Sequence, residues 1–282
     1  MSDAAPPLVS TDWLAARMER GDVRVLDASW YMPAQNRDAK AEFAACRIPG
    51  AAFFDIDGIA DTTSSLPHML PTPRAFADAV GKLGISNADT VVIYDCAGVF
   101  SAPRVWWTFR VFGHDNVAVL DGGLPKWRRE GRATESGPMK CREVPFTASF
   151  RPELVRDFTT VSDNIKSHAA QVLDARSEGR FHGTEPEPRP GLKGGHIPGS
   201  RSLPFQLLID PASGTVKPTS ELMKIFVAAG ITPSSPVITT CGSGLTAAIL
   251  AYGLFLIGHI DAAVYDGSWS EWGAHSDAPV ER

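Results

Sequence analysis

No stretch of this 282-residue sequence concentrates positive charge, and its formal net charge is −5. A nucleic-acid partner needs a basic face, so none is expected. Long apolar runs are missing as well. The most apolar stretch, Leu250 to Ile257, is broken by Gly253 and falls far short of the roughly 20 residues that span a bilayer. The first residues, Met1 to Pro7, carry neither a cationic region nor an apolar segment. No secretory leader is expected there, and a cytoplasmic location is. Cysteine is sparse: Cys46, Cys96, Cys141 and Cys241 lie far apart, without the paired spacing of a metal site or the density of a disulfide scaffold. The expectation is free thiols, no metal and no cofactor. What remains is an ordinary globular composition, 44% hydrophobic and 21% charged, in a chain long enough for two cores.

The chain repeats itself. Val25-Leu26-Asp27-Ala28 returns as Val172-Leu173-Asp174-Ala175, and Arg47-Ile48-Pro49-Gly50 as His196-Ile197-Pro198-Gly199. Phe112-Gly113-His114 returns as Ile257-Gly258-His259, and Asp121-Gly122-Gly123 as Asp266-Gly267-Ser268. The four blocks recur at offsets of 145 to 149 residues, which is duplication with small loop insertions. Each copy alternates short β-branched runs with helical stretches. Strands are expected at 23–26, 91–94, 117–120, 171–173, 237–240 and 262–265, and helices at 73–83, 103–112, 220–229 and 246–257. That alternation implies an α/β fold with a parallel sheet covered on both faces. Residues 134–158 show neither period and carry Pro138, Pro145 and Pro152, so they read as a linker. The expected domains are 1–133 and 159–282.

The chemistry is expected at Val237-Ile238-Thr239-Thr240-Cys241-Gly242-Ser243-Gly244-Leu245-Thr246. A strand runs into a loop that opens on a cysteine, and an apolar helix follows. The sulfur then faces the N–H groups that begin a helix, where the dipole favours an anion such as a thiolate or persulfide. At offset 145 the first copy carries Cys96, in Asp95-Cys96-Ala97-Gly98-Val99-Phe100-Ser101. One glycine and bulky Val99 and Phe100 suggest that this loop does not present the same ring of N–H groups, which leaves Cys96 as a structural thiol. His114 and His259 follow glycines at matched positions and read as helix C-terminal caps. Asp27 and Asp174 end equivalent strands and read as loop anchors.

The sequence resembles the tandem-domain sulfurtransferases of the rhodanese superfamily, and within them the 3-mercaptopyruvate sulfurtransferases. The resemblance rests on the Cys241–Thr246 loop, on Arg180-Phe181-His182-Gly183-Thr184-Glu185-Pro186-Glu187-Pro188-Arg189, and on Ser101-Ala102-Pro103-Arg104-Val105-Trp106-Trp107. It implies two rhodanese-like domains, with chemistry in the second only. Thiosulfate-specific relatives carry Cys-Arg-Lys-Gly-Val-Thr in this loop, where two cations suit a dianion. Gly242 and Ser243 stand at those two places here, the neutral pattern of the mercaptopyruvate enzymes. The resemblance implies substrate contacts from Gly242, Gly244, Leu245, Thr246, Arg180 and Arg189. Guanidinium donors suit a planar carboxylate. It also links Ser243 to a histidine and an aspartate from the first domain, which by motif are His68 and Asp57.

The implied reaction moves sulfur from 3-mercaptopyruvate to Cys241 as a persulfide, releases pyruvate, and passes the outer sulfur to thioredoxin, a small thiol or cyanide. Thiosulfate sulfurtransferase is the nearest alternative. A non-catalytic binding module is a weaker one, disfavoured by the intact cysteine loop. A cysteine phosphatase needs an arginine six residues after the nucleophile, and Ala247 stands there.

Overall fold

The computed structural model describes residues 5–232 and 234–282. The chain forms two compact units. Each holds one five-stranded sheet whose neighbouring strands are all parallel.

In the first unit the strands are β1 (Leu8–Val9), β2 (Val23–Asp27), β3 (Ala52–Phe53), β4 (Thr90–Tyr94) and β5 (Val117–Leu120), ordered β1-β5-β4-β2-β3. They alternate with α1 (Thr11–Arg20), α2 (Ala39–Ala45), α3 (Pro73–Lys82), α4 (Ala102–Val111) and α5 (Gly123–Arg129). In the second unit the strands are β6 (Val155–Arg156), β7 (Gln171–Asp174), β8 (Arg201–Ser202), β9 (Val237–Thr240) and β10 (Ala263–Tyr265). Their order, β6-β10-β9-β7-β8, repeats the first sheet strand for strand. Their helices are α6 (Phe158–Ser167), α7 (Glu178–Phe181), α8 (Thr219–Ala228), α9 (Ala247–Leu256) and α10 (Ser268–Trp272).

The local causes are ordinary. Helix α1 starts where Ser10 Oγ accepts the Trp13 N–H at 3.1 Å and stops at Gly21, whose φ of 72° only glycine adopts freely. Val91, Val92, Ile93 and Tyr94 of β4 are fully buried, as a strand covered by helices on both faces must be. Helix α9 is buried from Ala247 to Leu254, which accounts for the most apolar run in the chain without a membrane. No described helix is long and apolar enough to cross one.

Two features depart from the reading by sequence. Strand β6 and the cap of α6 fall inside the segment expected as linker. Val155 pairs with Val264, and Asp157 accepts the Thr160 N–H at 2.8 Å. A two-residue edge strand behind Pro152 is too short to show a period. The units also do not follow the chain linearly. The first comprises the chain up to Ala60, Pro71–Phe150 and Asp210–Val216; the second comprises Asp61–Leu70, Arg151–Ile209 and Lys217–Arg282. His68 therefore belongs to the same unit as Cys241, although it stands in the first half of the sequence.

Candidate active site

Cys241 stands at the carboxyl end of β9, between β7 and β10, where parallel sheets place their ligand sites. It is 1% exposed. The start of α10 fixes the loop around it. The Trp269 N–H donates to the Cys241 carbonyl at 2.9 Å, and Ser270 donates to the Gly242 carbonyl from its N–H at 2.9 Å and its hydroxyl at 2.6 Å. With the carbonyls held on that side, the loop runs on through Gly244, at φ 77°, into α9. Ser268 holds the cysteine itself: its hydroxyl accepts the Cys241 N–H at 3.2 Å and donates to the Tyr265 carbonyl at 2.8 Å. Ser268 sits at φ 49°, whereas its counterpart in the first unit is Gly123, at φ 52°. A serine kept in a left-handed position that glycine fills in the other repeat is there for its hydroxyl.

A buried chain of charges leads to the loop from the other side. Arg176 is fully buried. It binds Asp174 through Nε and Nη2, the Gly195 carbonyl through Nη2 at 2.8 Å and Glu187 Oε1 through Nη1 at 2.8 Å. Its guanidinium carbon lies 4.1 Å from the Trp269 ring centre. Burial works against its charge, but Asp174 and Glu187 more than offset this and hold its pKa above the ordinary arginine value. Glu187, with a side chain 3% exposed, turns its two oxygens to Arg180 in a fork: Nε to Oε1 at 3.2 Å and Nη2 to Oε2 at 2.6 Å. The far end of Arg180 comes to rest on Gly242. A Cβ added at Gly242 would lie 2.8 Å from Arg180 Nη2. The backbone of Gly242 is not left-handed, so a side chain there would have to displace the Arg180 guanidinium.

The first unit shows what the loop can hold, and it corrects the register of the repeat. Asp27 pairs with Tyr94 in the sheet as Asp174 pairs with Thr240. The Leu124 N–H donates to the Asp95 carbonyl as the Trp269 N–H does to that of Cys241. Asp95, not Cys96, therefore stands in the place of Cys241. The first loop is one residue longer, which hides the slip from any fixed offset. Its N–H groups do converge, contrary to the expectation from Val99 and Phe100. They converge on the Asp95 carboxylate: Oδ1 accepts from Ala97 at 2.9 Å, and Oδ2 from Phe100, Ser101 and Ala102 at 2.8, 2.9 and 2.9 Å. Cys96, one residue on, lines a cavity of about 660 Å³ with Arg37, Glu42, Cys46 and Arg128. Burial first, then the charge of Asp27, pushes its thiol up to about 12. A thiol of that pKa is a poor nucleophile.

The remaining expected site residues are distributed as follows. Ser243, Leu245 and Thr246 lie on the Cys241 loop, with Ser243 7% and Leu245 3% exposed. Arg189 is half-buried in the loop that carries Glu187. His68 is 6% exposed with φ 61°. Its segment is tied into the second unit by the Leu70 N–H, which donates to Asp266 Oδ2 at 2.8 Å. Asp57 belongs to the first unit and accepts the indole N–H of Trp30 at 2.8 Å. Reading by sequence missed Ser268, Glu187, Arg176 and Asp266. Ser268 had a signal, because it breaks the repeated Asp-Gly-Gly block; Glu187 lay inside a quoted motif without a role.

A model of the rhodanese-like domain matches residues 10–130 and again 157–275. The chain belongs to the rhodanese family. It is 46% identical to the thiosulfate/3-mercaptopyruvate sulfurtransferase 1, mitochondrial, of Arabidopsis thaliana, over 98% of this chain and 78% of that one. It is 44% identical to the 3-mercaptopyruvate sulfurtransferase of Homo sapiens, over 94% and 91%. A crystal structure of the 3-mercaptopyruvate sulfotransferase SseA from Escherichia coli superposes with a TM-score of 0.86 at 38% identity, covering 94% of this chain and 99% of that one. The two rhodanese-like repeats are thus alike in sheet order and unlike in the residue that ends the central strand.

Proposed function

We propose that this protein is a sulfurtransferase that takes sulfur from 3-mercaptopyruvate onto Cys241 and passes it to a thiol or to cyanide. The observation that carries the choice of donor is the seat of Arg180 on Gly242, one residue from the nucleophile. A guanidinium held there offers a planar fork to one carboxylate. The relatives' names cover both donors, so the residues of the loop decide.

In the first half-reaction the Cys241 thiolate attacks the sulfur of mercaptopyruvate. An S–S bond forms, the C–S bond breaks, and its electron pair leaves on carbon as the enolate of pyruvate. One proton delivered to that carbon gives pyruvate, and Cys241 is left as a persulfide. In the second, an acceptor thiolate attacks the outer sulfur, and the electrons of the S–S bond return to Cys241. No oxidant is needed in either step. The repeat supports a cradle for the outer sulfur. From Cβ, an aspartate (Cγ, Oδ) and a cysteine persulfide (Sγ, outer sulfur) place their terminal atoms two bonds away. The N–H groups that bind Asp95 correspond to those of Ser243, Leu245, Thr246 and Ala247. Ser243 and His68 serve as the proton relay to the departing enolate, while Arg180 and Arg189 hold the carboxylate.

Steady-state kinetics with both donors test this. Mercaptopyruvate is expected to have the higher kcat/KM, and a preference for thiosulfate would overturn the donor. Arg180→Ala is expected to raise KM for mercaptopyruvate, with a loss of about 1.5–3 kcal/mol for one charge-assisted contact.

A further inference from the structure

We infer that Glu187 is a specificity-determining positioning residue: it sets the preference for a monoanionic carboxylate donor over a dianion by pinning Arg180 in the space above Gly242. The inference rests on the proposed active site and deepens it.

Two features of the geometry lead there. The first is competition for space. Arg180 Nη2 stands 2.8 Å from where any side chain at residue 242 would begin. An arginine at the end of a flexible chain would ordinarily swing away, but this one is clamped at Nε and Nη2 by a carboxylate that is itself only 3% exposed. Glu187 cannot swing either, because Oε1 also receives Nη1 of the fully buried Arg176 at 2.8 Å. The Nη1–Nη2 edge of Arg180 is left to face a ligand at the loop, at a fixed angle and depth. The second feature is charge. Arg176, Asp174, Glu187 and Arg180 form one connected set of two cations and two anions. The wall beside Gly242 therefore offers directed donors without excess positive charge. One carboxylate is satisfied by that arrangement together with Arg189, whereas a dianion such as thiosulfate gains no further positive charge from it.

Removing the charge of Glu187 while keeping its shape changes both features at once. Arg180 loses half of its clamp, and the wall becomes net positive. The two donors should then respond in opposite senses. The test compares wild type, Glu187→Gln, Glu187→Asp, Arg180→Ala and the double variant Arg180→Ala/Glu187→Gln, each with 3-mercaptopyruvate and with thiosulfate. For Glu187→Gln, kcat/KM for mercaptopyruvate is expected to fall roughly 10-fold or more through KM, as for a weakened charge-assisted contact. Thiosulfate is expected to hold or gain, so that the donor ratio shifts by more than that factor. Glu187→Asp keeps the charge but shortens the arm. It is expected to lose mercaptopyruvate turnover without gaining thiosulfate turnover. In the Arg180→Ala background Glu187→Gln should no longer lower kcat/KM for mercaptopyruvate, since the clamp acts through Arg180.

The ratio is taken on one sample, so partial unfolding of a variant cancels from it. A merely structural Glu187 would lower both donors in proportion, and an unchanged ratio overturns the inference. A further fall with mercaptopyruvate that persists without Arg180 also overturns it. If wild type prefers thiosulfate, or Arg180→Ala is harmless, the site reading itself fails and this inference with it. An intact Arg180 effect with an unchanged Glu187→Gln ratio sinks only the role of Glu187.

Discussion

Ser268 and Gly123 occupy the same left-handed turn in the two units, and only one of them needs a side chain. Ser268→Gly removes the hydroxyl that accepts the Cys241 N–H while relieving the strain of a non-glycine residue, about 1 kcal/mol. The expected outcome is a midpoint of thermal unfolding close to wild type with kcat lowered roughly 10-fold. A variant that loses stability and keeps its kcat would make Ser268 a structural residue. Asp27 makes a different prediction at this scale. It is fully buried, and its pKa is raised to about 6, chiefly by burial and against the hydrogen bonds of Ser29. The folded protein thus holds this proton up to a higher pH than the unfolded chain does. The stabilisation it gives below its ordinary value of 3.8 is lost as pH rises towards 6. Relative to wild type, Asp27→Asn should therefore gain about 2 kcal/mol in unfolding free energy between pH 4 and pH 7. Urea titrations across that range check it, and a flat difference would contradict it. Neither residue's role was fully legible in the sequence: Asp27 showed itself as a repeated strand end, but its burial depends on the covered sheet.

At the scale of elements, most of the sheet could be read ahead of the structure. Strands β4, β5 and β10 are near-continuous apolar runs, the signature of a parallel sheet buried on both faces, while β2, β7 and β9 pair an apolar core with polar residues such as Arg24, Asp27, Gln171, Asp174, Thr239 and Thr240. The edge strands β1, β3, β6 and β8 span two residues each, too few for any periodicity, and their existence depends on the neighbour that pairs with them. The cysteine loop was legible as a type of site, but its partner in the first unit was misplaced by one residue. A fixed offset cannot see an insertion, whereas hydrogen bonds from Leu124 and Trp269 can. The corrected register makes the two loops one device in two states. In the first unit a carboxylate fills the ring of N–H groups, and in the second a cysteine waits at its mouth. Cys241→Asp should then supply the second ring with its own anion. The variant is expected to be inactive yet to unfold at a temperature equal to or above that of wild type, since charge-assisted bonds of about 1.5–3 kcal/mol replace a thiol. A clear fall in the unfolding midpoint would show that the second loop lacks the ring.

For the molecule as a whole, duplication explains both the likeness and the division of labour. The same strand order was kept twice, and with it the same strand-to-helix turn at the carboxyl end of the central strand. One copy closed that turn on its own aspartate and left its nearby thiol, Cys96, with a pKa of about 12. The other copy kept a cysteine, and the buried run Asp174–Arg176–Glu187–Arg180 supplies directed charge to a chain whose net charge is negative. The composition gave no support for a nucleic-acid partner or a membrane-spanning helix, but it held no hint of that internal ion chain, because its residues meet only in the folded unit. The central claim is that one of two matched turns, and one of four cysteines, carries the sulfur. Intact-protein and peptide mass spectrometry after brief exposure to 3-mercaptopyruvate, without acceptor, tests this most directly. One added sulfur per chain is expected, on Cys241, with one pyruvate released. Cys96 should be unmodified, and no sulfur should be added to the Cys241→Ser variant. Sulfur on Cys96, or turnover that survives Cys241→Ser, would contradict it.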